Sequence, residues 1–143
     1  MRLKNLNLAY IILLYTFSCT DEPTLREYEV LVENQSSNEI TIEGYDSNNT
    51  KIYQSIVQPK NRNEGCFASL ESFDGLATCN TDSLVFKFSN GKGYICALRE
   101  NGLEFCFSVK SPFESEDFNS LGHNTFEFII TQEDFENAFE LPE

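Results

Sequence analysis

The sequence predicts an all-β domain: an antiparallel β-sandwich of about seven or eight short strands with a short helix near its C-terminal end. Three observations carry that expectation. Apolar and polar residues alternate in short runs, as they do in half-buried strands. Clusters of Asn, Gly, Asp and Ser punctuate the runs. The chain also has 13 Phe and no Trp in 143 residues, enough aromatic bulk for one core.

Taken in order, "YEVLVEN" places Tyr28, Val30 and Val32 on one face. "NQSSN" is a turn, and "EITIEGY" sets Ile40 and Ile42 inward. "DSNN" turns into "KIYQSIV", a third strand stopped by Pro59, which has no backbone N–H for a ladder. Residues 64–80 hold one short strand and a turn. "SLVFKFS" aligns Leu84, Phe86 and Phe88, and "NGKG" leads into "YICAL". "ENG" then leads into "LEFCFSV", with Leu103, Phe105, Phe107 and Val109 expected on one face. "SPFESEDFNSLGHN" reads as a long polar loop pinned by Phe113 and Phe118, and "TFEFIIT" as the last strand. In "TQEDFENAF", Thr131 as N-cap and Asp134 three residues on predict a helix of about two turns.

Strands of this number and spacing favour an immunoglobulin-like sandwich over a small closed barrel. The stretch "VENQSSNEITIEGYDSNNTKIYQSIVQP" resembles the opening strands of bacterial extracellular immunoglobulin-like domains of the FxLYD kind. The resemblance lies in an N-x-S turn, a "YD" plus Asn turn, and a Pro that closes the third strand. It covers about 30 residues and departs from that pattern in its four downstream cysteines. The fold it implies is shared by many activities.

The N-terminus has a different grammar. Arg2 and Lys4 precede a run of about ten mostly apolar residues, Leu8 to Phe17, then Ser18 and Cys19. A spanning helix needs about 20 apolar residues, so the run reads as a secretory segment over 1–18. "TFSC" resembles a bacterial lipobox, with Thr16 and Phe17 where Leu and a small residue are usual. That looser form resembles lipoproteins of the Bacteroidota type and implies that Cys19 is lipidated and becomes the mature N-terminus. Residues 19–26 are then an acidic tether and 27–143 the domain. "TDEPT" also resembles the surface-export signal of such lipoproteins, and a solvated tether accounts for it equally well. The resemblance implies the cell envelope, as an outer-membrane lipoprotein facing the periplasm or the surface.

The cysteines fit this arrangement. Five are present, and an odd count in a secreted chain leaves one to explain. With Cys19 lipidated, Cys66, Cys79, Cys96 and Cys106 make two disulfides in an oxidising compartment. Four cysteines allow three connectivities. If Glu100, Asn101 and Gly102 form a three-residue hairpin loop, Cys96 faces Cys106, and directly facing Cβ atoms stand about 4.5–5.5 Å apart. In that register Ile95, Ala97, Phe105 and Phe107 point to the core and the cysteine pair to the other face. Cys66 then pairs with Cys79, closing a loop worth about 3 kcal/mol. The competing connectivity links the two regions across the sandwich.

Charge narrows the partners. Removing Arg2 and Lys4 leaves 8 basic side chains (10 minus 2) against 23 acidic, a formal −15. Nucleic-acid binding rests on basic patches, so none is expected, and acidity of this kind serves solubility. The only His, His123, sits in "LGHNT" with no nucleophile motif nearby, so no catalytic residue is assigned. No metal or cofactor is expected. "DSNNTK", with Asp46 and Asn48, lacks the Gly and Glu that close a calcium loop, and Glu114, Glu116 and Asp117 read as a solvated acidic loop. Tyr45, Tyr53 and Tyr94 are expected to pack on the sheets rather than stack on sugars. Asp82-Ser83-Leu84 resembles the triplet that carries O-linked glycans in Bacteroidota envelope proteins, which marks Ser83 as a candidate glycosylation site. The sequence thus leads to a non-catalytic binding or structural module of the envelope, held at the membrane through Cys19 and meeting a protein partner there. The alternatives are an accessory subunit of an outer-membrane complex and a small hydrolase built on carboxylates. A concave pocket with two carboxylates of raised pKa would favour the hydrolase.

Overall fold

Alternation along "REYEVLVEN" builds the longest strand, β1 (Arg26–Asn34), whose Tyr28, Val30 and Val32 are buried. The computed structural model describes residues 24–98 and 105–142. The further strands are β2 (Ile40–Tyr45), β3 (Lys51–Val57), β4 (Asn61–Arg62), β5 (Cys66–Leu70), β6 (Ser83–Phe88), β7 (Lys92–Ala97), β8 (Asn119–Gly122), β9 (Thr125–Ile130) and β10 (Phe139–Glu140). Helix α1 (Gln132–Glu136) lies between β9 and β10. Eight of these ten strands have four or more residues, in line with the expected number.

Two five-stranded sheets pack as a sandwich. One has the order β10-β7-β6-β2-β3 and is antiparallel throughout. The other runs β4-β1-β9-β8, with β5 also pairing β1. Here the expected antiparallel pattern is corrected, because β1 and β9 run parallel, Glu29 opposite Thr125 through Asn34 opposite Ile130. Between the sheets lie Val30, Val32, Ile40, Ile42, Leu84, Phe86, Phe128 and Ile130, all fully buried. Each such side chain contributes about 1.5–3 kcal/mol. Phe107 meets Phe86 and Phe128 edge-on at 5.3 and 5.6 Å, extending the aromatic core.

Asn34 organises the "NQSSN" turn. It is buried, and its amide donates to Val57 O and Asn38 O while its carbonyl oxygen accepts from Ser36. One edge of the second sheet is broken. Val30 pairs with Cys66 and Glu33 with Arg62, so Asn63, Glu64 and Gly65 stand opposite only Leu31 and Val32. This bulge needs Gly65 at φ +80°, where a Cβ would meet Leu31. Asn63 fills the gap, accepting from Val32 N at 2.8 Å and donating to Tyr53 on β3 at 2.6 Å.

Two expected segments differ. "SPFESEDFNSLGHN" is more than a loop: Phe113 and Phe118 are buried as expected, but its end forms β8. His123 and Asn124, both at positive φ, turn the β8–β9 hairpin. The strand expected over 103–109 is not formed over its described part. Phe107 is buried while Val109 is 85% exposed, and Leu103 lies outside the described residues. The β7 faces are also reversed: Tyr94 and Cys96 are buried and Ile95 and Ala97 only half-buried. The β6 register explains this, since Phe86 pairs with Tyr94 and Leu84 with Cys96, and direct partners share a face. Strand alternation with Cys106 opposite Cys96 would send Phe107 to the outer face. The chain instead leaves strand geometry, keeping the disulfide and burying Phe107. β10 takes the edge of β7, pairing Phe139 with Gly93, and Gly93 leaves no room for a side chain against β6: a Cβ there would lie 1.9 Å from Phe86 O.

Candidate functional site

Helix α1 and the segment after Cys106 enclose a cavity of about 300 Å³. The helix is five residues long, shorter than the expected two turns, and the cap is as expected: Thr131 Oγ1 accepts from Asp134 N, and Asp134 Oδ2 accepts from Thr131 N at 2.6 Å. Asp134 Oδ2 also accepts from Lys110 Nζ at 2.6 Å and from Thr131 Oγ1 at 2.8 Å. Lys110 donates a second bond to Ile129 O at 2.5 Å and stands over the Phe107 and Phe128 rings, 5.0 and 4.9 Å from their centroids. Rings hold an ammonium through their negative faces, so this cation is held by the carboxylate, a backbone carbonyl and two rings.

Tyr94 and Phe107, stacked at 3.9 Å, form the aromatic wall, and Phe139 meets Tyr94 edge-on. Tyr94 OH donates to Asp134 O at 2.6 Å. Burial, helped by the charge of Asp134, pushes the Tyr94 phenol up to about 12. Tyr94 is therefore a neutral donor in a structural bond. The cavity's central polar groups are engaged with one another, which suits holding the helix and fixing the sandwich end. Sequence reasoning found the cap but missed Lys110, because its partner lies 24 residues away and no local pattern marks it.

A second depression, about 440 Å³, follows the outer edge of β3. Residues 53–56 form one wall and Arg62, Asn63 and Glu64 the other. Next to it, on the outer face of β1 and β9, Glu127 is buried under Arg62. Arg62 Nε comes within 2.5 Å of Glu127 Oε1, yet that oxygen has no aligned hydrogen bond. Burial first, and the neighbouring Glu33 second, raise the Glu127 carboxyl. Glu127 lines neither of these two cavities.

The other sequence-predicted positions are dispersed. Cys66 is joined to Cys79 and Cys96 to Cys106, with Cα separations of 5.8 and 4.9 Å, as expected. The Cys96–Cys106 pair does not point away from the core as anticipated, since Cys96 is buried in it and Cys106 packs against it. The three-residue turn proposed for Glu100, Asn101 and Gly102 lies outside the described residues, as does Cys19. Among the described residues, Ile95 N donates to Phe105 O. Ser83 sits half-buried on β6 between Tyr45 and Ala97. Asp46 spends its carboxylate on its own turn, accepting from Asn48 N and Thr50 N. Asp117 accepts from Ser111 N. Among the described residues, no helix is long and apolar enough to cross a membrane. Comparison with protein-family models, curated proteins and solved structures returns no match.

Proposed function

We propose that this chain is a lipid-anchored protein of the bacterial cell envelope whose disulfide-bonded β-sandwich is a non-catalytic binding module. One observation carries the reading. The two disulfides consume Cys66, Cys79, Cys96 and Cys106, and the fifth cysteine is the one that ends the apolar N-terminal run. Disulfides belong to an oxidising compartment, and a cysteine after a secretory segment is where a lipid anchor is attached. Several acyl chains hold a domain at a bilayer without a spanning helix, at about 0.8 kcal/mol per buried CH2. The binding role is supported by the sites themselves: of the two carboxylates at the cavity, Glu133 and Asp134, Asp134 is committed to Lys110 and Thr131, and the second depression is an open sheet edge. Membrane fractionation tests the anchor. The wild-type chain is expected in the membrane pellet and Cys19→Ala in the soluble fraction or unprocessed. A processed Cys19→Ala protein that sediments with membranes as wild type does would refute the anchor.

A further inference from the structure

We infer that the cavity beside helix α1 is a binding site for a small organic cation, a primary ammonium on a short apolar body. The inference rests on the reading of the domain as a binding module and not on the lipid. At about 300 Å³ the cavity stands at the lower end of small-molecule sites, which combine apolar walls with a few placed polar groups. Tyr94, Phe107 and Phe139 supply the apolar walls. Val109, Glu133 and Asn137 also line it and are exposed, so its mouth opens to solvent between the segment after Cys106 and α1.

The groups lining the cavity identify the ligand. Three of them are charged, Lys110, Glu133 and Asp134, one cation against two carboxylates. The cation is already held by Asp134 Oδ2, Ile129 O and the Phe107 and Phe128 rings, so it is not free for an anionic ligand. The Asp134 carboxylate is occupied on one side only. Lys110 Nζ, Thr131 N and Thr131 Oγ1 all donate to Oδ2. Among the described residues no donor reaches Oδ1, and Glu127 Oε1 alone is a fully buried side-chain oxygen without a hydrogen bond. Asp134 is buried as a residue, so its open Oδ1 faces the cavity it lines. A buried carboxylate oxygen ordinarily has a donor. Glu133, at the mouth, makes no side-chain hydrogen bond or ion pair among the described residues and supplies the second negative charge. An ammonium has three donors and no acceptor. Its head meets Asp134 Oδ1 and turns toward Glu133, while its apolar body lies along the aromatic wall. With it bound, two cations balance two carboxylates.

The test titrates the full, oxidised chain with phenethylammonium at low ionic strength, following backbone amides by NMR. Saturable shifts at residues 107–110 and 131–137 are expected. Phenethyl alcohol, which has the same body without the charge, and the anion hydrocinnamate should each bind at least about tenfold more weakly. Glu133→Gln, a change at an exposed side chain, should weaken the amine by about two- to fivefold. Comparing the three probes on the wild-type chain keeps the result independent of how the variant folds. Amine shifts confined to other regions, no saturation by about 10 mM, or an unchanged amine affinity in Glu133→Gln would overturn the inference. Alcohol or anion binding at the cavity as tight as the amine's would also overturn it, and would leave the binding-module reading standing. None of these outcomes alters where Cys19→Ala fractionates, so the two readings fail separately.

Discussion

Two buried carboxylates, Asp134 and Glu127, each have a cation within 2.6 Å, and they are in opposite situations. Asp134 collects Lys110, the Thr131 amide and the Thr131 hydroxyl on one oxygen. Glu127 has Arg62 beside it without an aligned bond, and Glu33 adds a like charge. Glu43, on the outer face of β2, is a third case. Its bond from Lys51 is the main cause of a lowered carboxyl, and Tyr45 OH adds a second donor at 2.9 Å. An ion-pair distance does not decide whether a carboxylate is comfortable. The number of aligned donors, set against burial and like charge, does.

The largest effect is expected from breaking the well-donated pair. Lys110→Met leaves Asp134 facing the rings and cavity without its cation, and should cost about 3 kcal/mol in urea unfolding of the oxidised protein. A cost below about 1 kcal/mol would show that the pair does not hold helix α1.

Next comes the poorly donated pair. Arg62→Ala leaves Glu127 and Glu33 together, at a cost of about 2 kcal/mol at neutral pH, less than for a fully buried pair because Arg62 is half exposed. The sign with pH follows from the raised Glu127 carboxyl. Stability from this site is fullest with Glu127 protonated, below its ordinary unfolded value, and is lost as pH rises through the raised one. The cost of Arg62→Ala should therefore shrink on acidification, and adding Glu127→Gln should recover most of it. If the double variant is as unstable as the single one at neutral pH, the buried charge is not the cause.

Glu43 gives the smallest effect and the reverse sign. Its carboxyl is lowered, so its contribution is present above the ordinary unfolded value and lost as pH falls through the lowered one. Lys51→Met should move the Glu43 titration, followed by NMR, upward toward that of an ordinary glutamate. An unmoved titration would assign the lowering to Tyr45 instead.

The sequence made the sandwich legible because β1, β2 and β6 follow a strict two-residue alternation, and Val30, Ile42 and Phe86 land where that alternation sends them. It failed at "LEFCFSV" because two demands there are incompatible in one strand. Cys106 must meet Cys96, and Phe107 must reach Tyr94 and Phe128. The pairing of Cys96 with Cys106 was nonetheless legible from the facing register of a hairpin, although the face was misassigned. The parallel β1–β9 ladder and the reach of Arg62 across β1 to Glu127 are long-range, and no local signal encodes them. Likewise, Lys110 looks like any loop lysine until β9 and α1 close around it. The capping box was readable because its two residues lie three apart.

The account turns on one cysteine being set apart from the other four. Non-reducing peptide mapping by mass spectrometry of the membrane-extracted protein tests this in a single measurement. It should find an N-terminal peptide that begins at Cys19 and carries acyl chains, one cross-linked species joining Cys66 to Cys79, and one joining Cys96 to Cys106. An unmodified Cys19, a mature start at another residue, or a disulfide from Cys19 to any of the four would contradict it.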